Sequence, residues 1–255
     1  MPRYFDIHSH LTASQYNSDR KEVIARLDET DTNTITIGTD LESSKQAVTL
    51  ASQYERIYAC VGIHPVGKME KFEAEKFENL IQNPKVVAMG ECGMDFYHAK
   101  KKDDYERQKK LFIDQIEFAL KYNKPIMIHA RDAYQEILDI LTPYSLLPAS
   151  KLRGNVHFFA GGIDVAKRFF AIGFTISFTG VITFTHDYDE VIKMASLNMI
   201  MSETDSPYVT PVPYRGKRNE PSYVSEVVKK IAEIRGEDER FVSDTLVNNA
   251  LSMIG

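Results

Sequence analysis

The amino-acid sequence predicts an α/β protein that folds as a TIM-like (β/α)8 barrel. Eight short runs rich in apolar and β-branched residues recur along the chain, and helical patterns fill most of the gaps between them. This alternation is typical of parallel strands joined by helices, and 255 residues is an ordinary length for eight such units. We therefore expect one domain over residues 1–255, with a doubly wound open sheet as the alternative fold.

The predicted elements follow one another along the whole chain. The clearest helix is 105–122, where Phe112, Ile116 and Ala119 recur at four- and three-residue intervals. The predicted strands are 4–8, 34–38, 58–62, 86–91, 125–129, 154–158, 174–178 and 198–203. The predicted helices are 19–29, 43–54, 73–81, 105–122, 133–141, 163–171, 222–235 and 238–254. No helix is predicted between the seventh and eighth strands.

Composition and charge exclude several classes of protein. No run of about 18 apolar residues predicts a membrane span, and the first residues lack the basic and apolar regions of a secretion signal, so we expect a cytoplasmic protein. The two cysteines, Cys60 and Cys92, fall inside predicted strands, which argues against a disulfide framework. The net charge of -5 argues against a protein that holds long nucleic acid by charge alone.

One long irregular segment, 206–221, stands out near the end of the chain. It contains four of the ten prolines, and long loops of this kind in compact domains usually carry function. Asn219 is a candidate cap for the helix that follows, with Pro221 near its first turn.

Six residues with metal-binding side chains lie at or just after predicted strands. His8 and His10 are two positions apart, so they share one face of the first strand. A His-x-His pair alone is weak evidence for a metal site. Four other predicted strands, however, also have a histidine or carboxylate at or just after their ends, and the C-terminal ends of barrel strands form one rim. The predicted metal ligands are His8, His10, Glu91, His129, His157 and Asp205.

Four histidines and two carboxylates suffice for two divalent cations. Glu91 is the predicted bridge, because a carboxylate offers one oxygen to each cation. Asp205 is the predicted general base for an attacking water. Glu203, two residues earlier and on the same face, is a further catalytic candidate that would act from behind the ligands. Imidazole-rich sites suit zinc and manganese.

With these residues placed, the sequence resembles the TatD-type deoxyribonucleases of the amidohydrolase superfamily. The matching blocks run the length of the chain, although 158–161 reads FFAG where the family often has CFSG. They are 5–11 (FDIHSHL), 38–40 (GTD), 62–65 (GIHP), 90–95 (GECGMD), 129–131 (HAR), 177–180 (SFTG), 203–207 (ETDSP) and 215–221 (RGKRNEP). The resemblance implies a TIM-like barrel, divalent metal at the same six residues, and magnesium-dependent exonucleolytic hydrolysis of DNA.

Three residues are then candidates for binding the substrate. Arg131 shares a face with His129, and Arg215 lies in the long loop, so either guanidinium is suited to gripping phosphate oxygens. His64 follows the third strand and is a candidate for phosphate contact or for protonating the leaving group.

Other functions remain open at this point. The expected partner is DNA, as ends or single strands, with RNA as a further substrate, but the same activated water can attack a carbonyl, as in an aminoacyl-tRNA deacylase. A barrel that only keeps a structural metal or binds a partner is disfavoured, because no ligand is missing.

Overall fold

The chain forms an eight-stranded barrel in the computed structural model, which describes residues 1–67, 71–147 and 151–255. The strands pair in chain order, and each neighbouring pair is parallel. They are β1 (Tyr4–Ser9), β2 (Thr32–Ile37), β3 (Ile57–Val61), β4 (Val86–Asp95), β5 (Ile126–Arg131), β6 (Gly154–Val156), β7 (Thr175–Phe178) and β8 (Ile200–Ser202). After β8 the chain meets β1, where Thr204 N donates to Asp6 Oδ1 at 2.8 Å and Asp205 N donates to the His8 carbonyl at 2.9 Å. The predicted barrel is confirmed, and the open sheet is excluded.

Helices pack around the barrel, in the chain segments between strands and after β8. They are α1 (Arg20–Glu29), α2 (Leu41–Ala51), α3 (Ala74–Ile81), α4 (Lys101–Lys121), α5 (Tyr134–Ser145), α6 (Ile163–Ala171), α7 (Asp189–Met194), α8 (Val224–Arg235) and α9 (Glu239–Ile254). The sequence missed α7, because six residues are too few to show a 3.6-residue period. Asn219 does not cap a helix; its Oδ1 accepts from Glu220 N, and Glu220 precedes a short 3-10 turn at Pro221–Tyr223.

The strand that carries Glu91 is longer than predicted. β4 continues to Asp95 and pairs with β5 through Gly93 to His129 and Asp95 to Arg131. Gly93 has φ of +143°, and a Cβ there would lie 2.0 Å from the His129 carbonyl oxygen. Only glycine allows this close approach, which brings the end of β5 against β4.

Two apolar clusters hold the barrel together. The larger one lies between the strands and the surrounding helices, and the smaller one joins β1–β5 and β8 to α9. Cys60 and Cys92 are both free and buried in these clusters, as predicted. Among the described residues, no helix combines the length and the apolar character that crossing a bilayer requires.

Candidate metal centre

The six residues predicted as metal ligands lie together at the C-terminal end of the barrel. Three lie within β1, β4 and β5, and the other three follow β1, β6 and β8. They are His8, His10, Glu91, His129, His157 and Asp205. Parallel strands end on one rim, so residues that are far apart in sequence converge there.

The first group of ligand atoms comes from β1 and the segment after β8. His8 Nε2 and His10 Nε2 are 3.3 Å apart, and Asp205 Oδ1 lies 3.7 Å from the first and 3.4 Å from the second. Ligands about 2.1 Å from a tetrahedral cation are about 3.4 Å from one another. The spacing of these three atoms therefore fits one cation.

The second group surrounds the end of β5. His129 Nδ1 lies 2.8 Å from Glu91 Oε1, His157 Nε2 lies 2.7 Å from the same oxygen, and the two nitrogens are 3.4 Å apart. The 2.7 and 2.8 Å separations are hydrogen-bond distances, and imidazole with carboxylate is a donor set that zinc and manganese accept.

Glu91 lies between the two groups. Its Oε1 faces His129 and His157, whereas its Oε2 lies 3.4 Å from His8 Nε2 and 3.9 Å from His10 Nε2. Burial by itself would raise the Glu91 pKa, but the nearby histidines hold that pKa well below its usual range. The carboxylate is therefore ionised, and each of its oxygens faces a separate set of histidines.

Asp95 orients one of these histidines from behind. Its Oδ2 lies 3.0 Å from His129 Nε2 and 2.8 Å from His98 Nδ1, and its side chain is buried. Because Nε2 of His129 bonds to Asp95, Nδ1 is the nitrogen that faces Glu91. Hydrogen bonds of this kind fix the tautomer and the ring orientation of a metal ligand.

Glu203 lies behind His157 and not in the cleft. Its Oε1 accepts from Phe158 N at 2.8 Å, its Oε2 accepts from Ser177 Oγ at 2.6 Å, and Oε1 lies 3.4 Å from His157 Nδ1. The carboxylate is fully buried. This position suits orienting His157 from behind, and it gives Glu203 no direct access to a substrate.

The three candidate substrate residues lie in different places. His64 and Arg131 line the cleft above the ligand groups, a space of about 1170 Å³. His64 Nε2 is 3.4 Å from Glu91 Oε1, and His64, Glu91 and His129 lie close enough together to form a potential ligand group. His8, Glu91 and His157 form another such group, which joins the two described above. Arg215 is not among the residues that line this cleft; it donates to the Thr210 carbonyl and stacks 4.0 Å from the Phe184 ring centroid.

Part of the cleft wall was not predicted. Several of these lining residues follow β1, β2 and β7, and most of them are small or polar. They include Thr12, Thr39, Asp40, Ser43, Gln46, Val181 and Tyr188. The only signal for them in the sequence is that segments after barrel strands surround the active-site rim.

Comparison with known proteins gives the family. The sequence pattern of the family described as TatD related DNase matches residues 5–255. The chain belongs to this family. The uncharacterized metal-dependent hydrolase YabD of Bacillus subtilis is 38% identical over 236 residues, covering 91% of each chain. The 3'-5' ssDNA/RNA exonuclease TatD of Escherichia coli K12 is 32% identical over 263 residues, covering 98% of each.

A solved structure of the TatD group has the same architecture. The crystal structure of YJJV, a TatD homologue from Escherichia coli K12, superposes with a TM-score of 0.89 at 27% identity, covering 99% of this chain and 98% of the other. The resemblance predicted from the sequence motifs is confirmed, and the chain is a metal-dependent hydrolase.

Proposed function

We propose that this protein is an exonuclease that removes nucleotides from the ends of single-stranded DNA, and also of RNA, with two divalent cations. The observation that carries this proposal is the position of Glu91, whose two carboxylate oxygens face two separate sets of histidines. The relatives named 3'-5' ssDNA/RNA exonuclease support the substrate class. When bound, the cations supply charge neutralisation at the phosphate and lower the pKa of the attacking water.

Six side chains would hold these cations. His8, His10 and Asp205 would hold one cation, His129 and His157 would hold the other, and Glu91 would contribute to both. Asp205 also accepts the proton of the water. Burial would raise the Asp205 pKa, but the hydrogen bond with His10 and the charge of His8 lower it, so the carboxylate is ionised at neutral pH and can act as a base.

We propose that His64 donates a hydrogen bond from Nε2 to an oxygen of the substrate phosphate. Val66 N donates to His64 Nδ1 at 3.2 Å, so Nε2 carries the ring proton, and Nε2 faces Glu91 and the cleft. The imidazole is 21% exposed, which leaves it accessible to a substrate.

The decisive experiment uses metal-free protein and end-labelled single- and double-stranded DNA and RNA. Magnesium, manganese or zinc is then added back, which also identifies the native ion. We expect stepwise shortening from one end that requires a cation and is lost in Glu91→Gln and Asp205→Asn. Asp114→Asn, a surface carboxylate on α4 paired with Lys110, serves as the control. A folded, metallated protein that cleaves none of these strands would exclude a nuclease and favour ester or amide substrates, with aminoacyl-tRNA tested first.

A further inference from the structure

Arg131 and Tyr97 form a stacked pair at the edge of the cleft. The Arg131 guanidinium carbon lies 4.1 Å from the Tyr97 ring centroid, and the tyrosine side chain is 63% exposed. Among the described residues, nothing accepts a hydrogen bond from this guanidinium and no carboxylate pairs with it. A cation held by an aromatic face, with its donors free, is prepared to bind an oxyanion.

The backbone around this pair is held in place. Phe96 N donates to the Arg131 carbonyl at 2.9 Å, and His98 N donates to Asp95 Oδ1 at 2.8 Å. The His98 ring packs edge-on against Tyr97, with centroids 5.0 Å apart. Hydrogen bonds therefore hold the backbone of the residues before and after Tyr97, although the Tyr97 ring is exposed.

Charge also points to a ligand at this position. The described residues lining the cleft include four carboxylates, whereas Arg131 is the one lysine or arginine among them. Arg131 lies two residues beyond His129, and within the described parts of the chain no hydrogen bond or ion pair joins its side chain to Glu91 or to the other candidate ligands. We therefore assign it to a phosphate other than the one that would meet the cations.

We propose that Arg131 binds the phosphate next to the scissile one, and that Tyr97 positions Arg131 for this contact. The inference rests on the proposed function and adds a second subsite to it. The guanidinium supplies the charge and the forked hydrogen bonds, and the phenyl face limits its orientations. A substrate that has one phosphodiester and no neighbouring phosphate should bind no more tightly because of this pair.

Two substrates separate this subsite from the metal centre. Bis-p-nitrophenyl phosphate has one phosphodiester, and pentathymidylate has neighbouring phosphates. With pentathymidylate we expect KM to rise about 10- to 100-fold in Arg131→Gln, from the loss of a charged hydrogen bond, and about 3- to 10-fold in Tyr97→Leu. Both variants should lose at least about fivefold less with bis-p-nitrophenyl phosphate than with pentathymidylate, because this substrate has no neighbouring phosphate. Tyr97→Phe keeps the ring face and should resemble wild type.

Salt dependence distinguishes a phosphate contact from a structural role. For single strands, log K changes by about 0.7 per unit of log salt for each neutralised phosphate. Binding of fluorescein-labelled pentathymidylate is measured by anisotropy at several salt concentrations. The slope of log K against log salt should become shallower by about 0.7 in Arg131→Gln. It should not change in Arg131→Lys or Tyr97→Leu, which keep the charge. Arg3→Gln is the matched control, because Arg3 also stacks on a tyrosine, at 5.1 Å from the Tyr4 centroid, where β1 begins.

The possible results separate the two proposals. Equal losses on both substrates in Arg131→Gln, or no loss on either, would overturn the subsite. Binding that depends on Arg131 but leads to no cleavage by wild type would contradict the nuclease proposal and retain Arg131 only as a phosphate-binding residue. Wild-type protein that does not bind pentathymidylate would overturn the subsite.

Discussion

Replacing Asp95 by Asn tests how the proposed cation site at the end of β5 is held. Asp95 Oδ2 contacts the ring nitrogens of His129 and His98 at 3.0 and 2.8 Å, in a buried position. Asn has the same shape and keeps one acceptor, but it lacks the negative charge that holds the His129 ring with Nδ1 toward Glu91. Residues that orient a metal ligand in this way typically contribute 10- to 100-fold to metal affinity.

We expect Asp95→Asn to weaken cation binding about tenfold, equivalent to about 1.4 kcal/mol, and Asp95→Ala to approach 100-fold, because it removes both acceptors. The assay is calorimetric titration of manganese into metal-free protein, with circular dichroism to verify folding. His98→Asn leaves the bond between Asp95 and His129 in place and should stay within about twofold of wild type. Wild-type affinity in both Asp95 variants, or an equal loss in His98→Asn, would refute this role for Asp95.

Three further predictions concern charge, protons and packing. Glu91→Gln should bind at least one cation fewer, measured by metal analysis after dialysis, because an amide offers a single oxygen ligand. Burial lowers the His157 pKa, but Glu91 and Glu203 outweigh burial and raise that pKa well above its usual value, so a proton competes with the cation. Cation affinity should therefore fall about tenfold for each unit by which the pH drops below this pKa, for each proton displaced, measured by titration at several pH values. Gly93→Ala should destabilise the fold by about 3 kcal/mol, which lowers Tm by roughly 6–12 °C in a thermal melt, because its Cβ would meet the His129 carbonyl.

Each of these predictions has an outcome that contradicts it. The metal content of Glu91→Gln is compared with that of Asp114→Asn. Equal contents would mean that Glu91 is not a ligand. Affinity that is constant with pH would show that no proton is displaced. Gly162→Ala is the control for the glycine, because its φ is -88° and a Cβ there meets nothing within 4 Å; an equal loss of Tm in the two variants would refute the packing argument.

Much of the fold and the six-residue cluster could be predicted from the sequence. Strands and helices have periods of two and 3.6 residues, and these periods appear in apolar runs such as 4–8 and 105–122 without any knowledge of contacts. Because parallel barrel strands all end on one rim, the ligand-type residues at their ends had to converge. His8, His129 and His157 were therefore placed together from local pattern and one topological rule.

Only the tertiary structure decided which atoms of these side chains face one another. Whether His129 presents Nδ1 or Nε2 depends on Asp95, and whether Arg215 reaches the cleft depends on Phe184 and Thr210. The division of the ligands around the two Glu91 oxygens likewise follows from rotamers set by packing. Such choices depend on contacts between residues that are distant in sequence, for which a local pattern carries no signal. The sequence determined which residues meet at the rim, and the packed structure determined which atoms face one another.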